Sequence, residues 1–557
     1  MDTLTPRSPS KPLTRPVTRR AALIRTGASL AAGAAATAAL PNRLLAQEAS
    51  PPAASPVADG APGDVTPGRA NLVVERLPEL AADILARTGV PGMAVAVVHD
   101  AAVVFAGGFG VREIGTDQRV DADTVFQLAS VSKCLASTVV SAVVGDGVVA
   151  WDSRMADVDP GFALHDAWPT QNVTLADLFA HRSGLADHVG DLLEDLGYER
   201  AEVLRRLRFA EPEYSFRAGY AYTNQGLTAA AVAAASAAGM EWEDLCREKL
   251  YAPLGMTKTS SRFADYMAQA DRAIPHVRRN GAWEVTPQQR NPDPESPAGG
   301  VSSTVNDLAR WVRLVLSQGT YDGTELIPAA ALAPTHIPQS VSRVPSDPAT
   351  QRAGFYGLGW NVSYTDFGTP QWSHSGAFDL GAGTAVFLLP AAGFGIIALA
   401  NGEPVGAPEA LCLSVLDLAQ RGEVARDWLD TVTPDFVALA APTYGTATDW
   451  TTPPADPTPA LPAAAYVGTY RNDYYGDAEI AEAGGNLVVR LGPAPLEFPL
   501  AHYDRDTFSW QPLGENAYGP SGLTFTVGPE GTATGFHDEY LASGGPGDLE
   551  RVAAATS

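Results

Sequence analysis

Ser130 and Lys133 stand three residues apart in Phe126-Gln127-Leu128-Ala129-Ser130-Val131-Ser132-Lys133. At a helix start this spacing puts both side chains on one face, within reach of each other. A serine hydroxyl becomes a nucleophile when a base takes its proton. A lysine becomes that base when burial or neighbouring cations lower its pKa. The N–H groups of a helix start can also hold negative charge on a bound oxygen. The spacing alone is a weak signal, because Ser8-Pro9-Ser10-Lys11 matches it too. The setting is what distinguishes Lys133. It is one of four lysines, with Lys11, Lys249 and Lys258, and it lies in an otherwise apolar run. An unpaired ammonium there is costly, unless the side chain reaches the surface. Tyr222-Thr223-Asn224 and His374-Ser375-Gly376 add further polar groups. A tyrosine can relay a proton between serine and leaving group. An asparagine can donate to a substrate carbonyl while accepting from a lysine. Gly376 would let a substrate approach the backbone. Taken singly, Tyr222 and Asn224 read as loop residues, and His374 reads as a core histidine.

The elements that must position these groups follow from periodicity. Apolar residues recur at helical spacing from Ala70 to Arg87, and Gly89 and Pro91 end that helix. Ala94–Val98 and Val103–Phe105 read as a hairpin. A helix is expected to follow Ser130 as far as Val144. Residues 150–290 look mainly helical, with a strong helix over Leu227–Ala238. Strand-like runs return at Gly357–Val362, Gln371–His374, Thr384–Leu389 and Phe394–Ala400, and a helix follows over Leu411–Arg421. A sheet that opens before Ser130 and closes after about residue 350 would frame a site against the helical insertion. The Pro/Thr-rich run Thr448–Pro462 reads as a stiff linker. Beyond it come seven short β segments, from Tyr466–Tyr470 to Ala533–Phe536, in a region with 13 acidic and 4 basic side chains. That pattern predicts a small barrel or sandwich.

Composition narrows the function. Of the 557 residues, 38 are Lys or Arg and 63 are Asp or Glu, a formal charge of −25. The pI near 4.7 argues against nucleic-acid binding, which needs clustered cations. Cys134, Cys246 and Cys412 are too few and too scattered for a disulfide framework or a zinc site. There is no H-E-x-x-H, no G-x-S-x-G, no P-loop and no complete dinucleotide fingerprint, so no metal and no cofactor is expected. At the amino terminus, Arg19-Arg20 precedes a weakly apolar run from Thr26 to Leu40 and the small residues around Ala46. The order is that of a twin-arginine export signal over residues 1–46, cleaved or retained as an anchor. An Ala/Pro/Ser-rich leader, 47–69, follows and is expected to be disordered.

Ser130-x-x-Lys133, Tyr222-x-Asn224 and His374-x-Gly376, in this order, resemble the three signature motifs of the penicillin-recognising serine hydrolases. That group comprises class C β-lactamases, DD-peptidases, D-aminopeptidases and the related CubicO-type esterases. His181-Arg182-Ser183-Gly184-Leu185, Pro297-Ala298-Gly299-Gly300 and Tyr356-Gly357-Leu358-Gly359-Trp360 extend the likeness. The resemblance implies an α/β (α+β) β-lactamase/transpeptidase-like unit over 70–425, an antiparallel sheet flanked by helices with a helical lobe at about 150–300. It also implies an acyl-enzyme mechanism. Ser130 is the nucleophile, and Lys133 and Tyr222 move its proton, with the base left open between them. The Ser130 and Ala377 N–H groups hold the oxyanion, Asn224 orients the substrate amide, and His374 lines the pocket. One departure is visible. The third motif begins with histidine where β-lactamases of this group usually have lysine, and a neutral imidazole is a poor partner for a substrate carboxylate.

Tyr466-Val467-Gly468-Thr469-Tyr470 with Tyr475-Gly476 is similar to the lipocalin-like domain appended to archaeal Pab-type peptidases. This predicts a β domain at 463–557, reached through a connecting segment at 426–462, and a homo-oligomer formed through that domain. Peptide-like amides, including those with D-residues, are the leading substrates. Esters and β-lactams follow, and a penicillin- or peptide-binding sensor is the non-enzymatic alternative. Because all three motifs precede the linker, residues 70–425 are expected to form a self-sufficient site.

Overall fold

The computed structural model describes residues 63–552. The export-signal reading of residues 1–46 and most of the leader lie outside the described residues. An eight-stranded antiparallel sheet forms the centre. Its order is Ala102–Gly110, Gly92–His99, Phe394–Ala400, Ala382–Leu389, Pro370–Phe378, Asn361–Tyr364, Gly354–Tyr356 and Ser340–Arg343. The amino-terminal hairpin pairs with the last strand, Met93 opposite Ala400, so the sheet is closed across the whole intervening chain. Its middle strands are buried at every position, and apolar except at His99 and Thr384, because both faces are covered.

Alternate side chains feed two cores. Val95, Val97, Phe387 and Ile396 pack with the helices Pro67–Thr88, Ala407–Arg421 and Trp428–Leu439. Ala94, Ala96, Val386 and Leu388 pack with Ser132–Gly145, Val305–Leu316 and the helical insertion. Leu77 in the first helix is fully buried, which is worth about 2 kcal/mol. That helix begins at Pro67, capped by the Thr66 hydroxyl, three residues earlier than its apolar pattern shows. The helix Trp428–Leu439 was not expected. Asp427 caps it, accepting from the Asp430 N–H at 3.0 Å. The insertion contains the short helices Leu175–Phe179, Asp191–Asp195 and Arg200–Arg206 and the long helix Asn224–Ala237. It also holds a hairpin, His276–Arg279 with Ala282–Val285.

Residues beyond 462 form a separate nine-stranded antiparallel sheet, ordered Leu496–Pro499, Asn486–Leu491, Gly476–Ala483, Gly468–Asn472, Asp548–Arg551, Ala533–Asp538, Ser521–Val527, Thr507–Trp510 and Ala501–Asp504. The two outermost strands are joined by the single residue Leu500, so the sheet curls into a nearly closed barrel. Tyr466, Tyr470, Phe508, Phe525 and Phe536 fill its interior. The Pro-rich connection is docked on the barrel. Trp450 packs on Tyr503 and occupies the space beside Gly522, and its indole N–H donates to Glu539 at 2.9 Å.

The barrel also locks onto the helical insertion. The Gly190 N–H donates to the Tyr474 hydroxyl at 2.8 Å, and the Tyr198 hydroxyl donates to the Tyr475 carbonyl at 2.7 Å. Cys134, Cys246 and Cys412 are buried and unbridged. Among the described residues no helix is long and apolar enough to cross a membrane.

Candidate active site

Ser130 lies in a tight turn, Ala129–Val131, that leads directly into the helix Ser132–Gly145. Ala129 is held at φ 46°, a strained conformation for a residue with a Cβ. The turn is pinned from three sides. The Leu128 N–H donates to the Val301 carbonyl at 2.8 Å, the Ser132 hydroxyl accepts from the Val301 N–H at 3.0 Å, and the Thr384 hydroxyl donates to the Leu128 carbonyl at 2.7 Å. The strand Pro370–Phe378 runs against this turn at Gly376. A Cβ there would stand 2.3 Å from the Leu128 carbonyl oxygen and from Thr384 Oγ1. The space beside Gly376 is therefore filled by protein, and the glycine serves the docking of strand on turn rather than the approach of a substrate. Gly359, at φ 81°, does the same for the helix, since its Cβ would stand 2.7 Å from the Lys133 carbonyl oxygen.

One turn along the helix, Lys133 is completely buried, and its ammonium donates to three acceptors. These are Ser130 Oγ at 3.0 Å, Asn224 Oδ1 at 2.7 Å and the Ala298 carbonyl at 2.9 Å. Burial pushes its pKa down to about 8, against the opposing pull of Glu295 and Asp191. The Tyr222 hydroxyl donates to Ser130 Oγ at 2.9 Å, and its ring lies 4.6 Å from the Lys133 nitrogen. Burial raises the Tyr222 pKa well above its ordinary value, so the phenol keeps its proton. Asn224 opens the helix Asn224–Ala237 with both ends of its amide engaged. Oδ1 faces Lys133, and Nδ2 donates to Asp191 at 3.0 Å. The donor-only ammonium and the acceptor carboxylate fix the orientation of that amide.

His374 sits on the neighbouring strand. Its Nδ1 lies 2.7 Å from the Ser375 carbonyl, so this nitrogen carries the proton, and Nε2 accepts from the Tyr356 hydroxyl at 2.9 Å. Burial lowers its pKa to about 3 and the ring is neutral. Ser130, Tyr222, Asn224, His374 and Ala377 all line one cleft.

Several further residues support the site, and of these only His181 lies in a motif read from the sequence, His181–Leu185. Asp191 accepts from Asn224 and lies 2.7 Å from His188 Nδ1. His181, at φ 55°, accepts from the Thr223 N–H at 3.2 Å and packs against Tyr222 with its ring tilted by 46°, which fixes the tyrosine loop. Arg290 bridges three carboxylates, Glu194 at 3.0 Å, Glu295 at 2.8 Å and Glu515 at 3.3 Å. Glu515 belongs to the barrel. With Asn516 and Tyr518 it forms part of the cleft wall, and its carboxylate accepts from the Asp379 N–H at 2.6 Å and the Leu380 N–H at 3.2 Å. Asp195, in turn, accepts from the Glu515 and Asn516 N–H groups at 2.9 and 3.0 Å. The expected self-sufficiency of residues 70–425 does not hold geometrically, because a loop beyond residue 510 completes the cleft.

The comparisons with known proteins agree with this architecture. The family described as Beta-lactamase matches residues 77–420, and a domain of unknown function, DUF3471, matches residues 452–545. An unguisins hydrolase of Aspergillus violaceofuscus is 28% identical over 70% of this chain and 73% of its own. Penicillin-binding protein 4 of Amycolatopsis lactamdurans is 30% identical over 56% of this chain and 81% of its own. The D-alanyl-D-alanine-carboxypeptidase/endopeptidase AmpH of Escherichia coli is 27% identical over 44% of this chain and 64% of its own. In fold, the chain is similar to the octameric penicillin-binding protein homologue from Pyrococcus abyssi, with a TM-score of 0.53 at 17% identity over 86% of this chain and 99% of that one. The catalytic-unit fold, the motif order and the family match converge: the chain belongs to the β-lactamase family and is a serine hydrolase of the β-lactamase/DD-peptidase superfamily.

Proposed function

We propose that the protein is an exported peptidase that opens peptide-like amides through an acyl-enzyme on Ser130. The observation that carries this reading is the hydrogen-bonded set Ser130–Lys133–Tyr222, with Asn224 holding the lysine from behind. With a pKa of about 8, roughly a tenth of Lys133 is neutral at pH 7. The neutral amine takes the Ser130 proton as Oγ attacks the carbonyl carbon, and the carbonyl oxygen becomes an oxyanion held by the Ser130 and Ala377 N–H groups. Tyr222, protonated and bonded to Oγ, delivers a proton to the departing amine and is reprotonated through Lys133. The C–N bond breaks, leaving an ester on Ser130. Water, deprotonated by the same pair, attacks that ester and restores the serine.

The neutral His374 disfavours a substrate carboxylate beside the third motif, which sets β-lactams and carboxypeptidase substrates behind amides and short esters. The paired arginines and apolar run of residues 19–40 support export by the twin-arginine route. A homo-oligomer through the barrel is supported by the octameric Pyrococcus neighbour and is checked by native mass. A turnover panel tests the substrate reading. It should hold p-nitrophenyl esters, nitrocefin, D- and L-aminoacyl anilides and a D-Ala-D-Ala peptide. Turnover of anilides above nitrocefin and above the D-Ala-D-Ala peptide is expected, and the reverse order would overturn the proposed substrate class.

A further inference from the structure

We infer that the acyl part of the substrate carries an extended apolar chain, and that this chain lies in a groove between the helix Trp428–Leu439 and the barrel loop 514–518. The inference rests on the hydrolase reading above and names the acyl group of that same site. The groove adjoins the catalytic cleft. Asp379, Glu515 and Tyr518 line both, and the helix Trp428–Leu439 gives Leu439 to the cleft and Phe436 and Val437 to the groove. The cleft offers about 90 Å³ and the groove about 390 Å³. The cleft therefore holds the reacting atoms, and a larger substituent runs on past its rim.

The walls of the groove select the chemistry of its occupant. Leu380, Pro404, Val405, Phe436, Val437 and Ala517 give it an apolar lining drawn from both domains. Thr433, Phe436, Val437 and Ala440 recur at the spacing of one helix face, and that face borders the groove. Val437 stands 67% exposed on it, a large apolar side chain with its surface open to a ligand. The polar side chains of the lining are engaged within the protein. Arg278 pairs with Glu403 at 3.1 Å, and the Tyr518 hydroxyl donates to Asp379. Glu515 pairs with Arg290 at 3.3 Å, and the Thr433 hydroxyl donates to the Leu429 carbonyl at 2.7 Å. A polar occupant would have to break these bonds, whereas an aliphatic chain leaves them intact.

The proposed mechanism decides which part of the substrate reaches the groove. The leaving amine faces Tyr222, whose hydroxyl bonds to Ser130 Oγ and whose ring lies 6.4 Å from the His374 ring. The oxyanion sits at the Ser130 and Ala377 N–H groups. The strand that carries His374 and Ala377 ends at Phe378, and Asp379 follows at the rim shared with the groove. With the leaving group at the His374 end of this strand segment, the acyl chain departs at the Asp379 end.

The test is kcat/KM of the full chain on p-nitrophenyl acetate, butyrate, hexanoate and octanoate. Each methylene that enters the groove should raise the value about two- to fourfold, so octanoate should exceed butyrate by about tenfold or more. Val437→Glu, on the helix, and Ala517→Glu, on the barrel loop, should each lower the octanoate-to-acetate ratio about tenfold. Val148→Glu, at an exposed valine outside the groove, should leave that ratio as in the native protein. Octanoate turned over no faster than butyrate, or a ratio within twofold of native in both groove variants, would overturn the inference. Binding of octanamide and butanamide to the Ser130→Ala protein, read by thermal shift, is measured in parallel. Octanamide should bind about tenfold tighter, and Val437→Glu should remove the difference. Absence of turnover on every ester would strike the hydrolase reading instead, and the amide pair then decides the groove alone, with equal binding overturning it.

Discussion

Raising the pH from 6 to 8 should raise kcat/KM on a neutral ester about fifty-fold, with the plateau reached above pH 9. The sign follows from Lys133. Burial favours its neutral form and lowers its pKa to about 8, and the neutral form is the one that can accept the Ser130 proton. With that pKa, about 1% of the enzyme carries the base at pH 6 and about half at pH 8. A lysine of ordinary pKa would give a profile still climbing at pH 10. Lys133→Arg should remove the rise and lower the rate by about 10²–10⁴, because arginine has no accessible neutral form. Lys133→Ala should be equally slow. It would also leave Asn224 Oδ1 and the Ala298 carbonyl without their donor, at a cost of about 2–4 kcal/mol in stability. The assay is initial rates on p-nitrophenyl acetate between pH 6 and 10, corrected for the uncatalysed reaction, with a thermal melt of each variant. A profile flat from pH 6 to 9, or a Lys133→Arg enzyme within a few-fold of the native rate, would refute the lysine as base and shift that role to Tyr222.

Tyr222→Phe removes the hydrogen bond to Ser130 while keeping the ring packing. It should lower kcat about 10²-fold with little change in Tm, and a kcat within twofold of native would remove Tyr222 from the proton relay. Gly376→Ala places a methyl group against the Leu128 carbonyl and Thr384. It should cost about 2–4 kcal/mol by denaturant unfolding and slow probe labelling of Ser130, whereas a neutral melt would mean the strand can move off the turn. Deleting residues from 450 onward strips Glu515 from Arg290 and the backbone donors from Asp195. Breaking such buried pairs costs about 3–5 kcal/mol each, so the truncated chain should fail to fold cooperatively or to label. A folded truncation that labels at the native rate would restore the independent site that the motif order alone suggests.

Ser130 and its neighbours were legible because the chemistry they could do is tied to short spacing. Ser130 and Lys133 share one helical turn, Tyr222 and Asn224 flank a helix start, and His374 precedes a glycine that the packing demands. Asp191, Glu295 and Glu515 carry no such mark. They are isolated members of a set of 63 acidic residues, and only the tertiary fold gathers them at one cleft, Glu295 and Glu515 on Arg290 and Asp191 on Asn224. The same limit applies to the fold. The buried strands Gly92–His99 and Ala382–Leu389 stand out as apolar runs, but the polar strands Ser340–Arg343, at a sheet edge, and Asp548–Arg551, in the middle of the barrel sheet, do not. The helix Trp428–Leu439 contains Thr431, Thr433 and Pro434, so its docking on Ala407–Arg421 rather than its propensity holds it. The Pro-rich connection before the barrel has the composition of a free linker, yet Trp450 anchors it, because one buried indole outweighs local composition.

Acid-quenched mass spectrometry of the enzyme after brief reaction with p-nitrophenyl acetate tests the central claim most directly. One acetyl group on the peptide containing Ser130, absent from Ser130→Ala and lost with time in the native enzyme, is the predicted result. An acetyl group on another residue that turns over at the catalytic rate, or full turnover by Ser130→Ala, would contradict it.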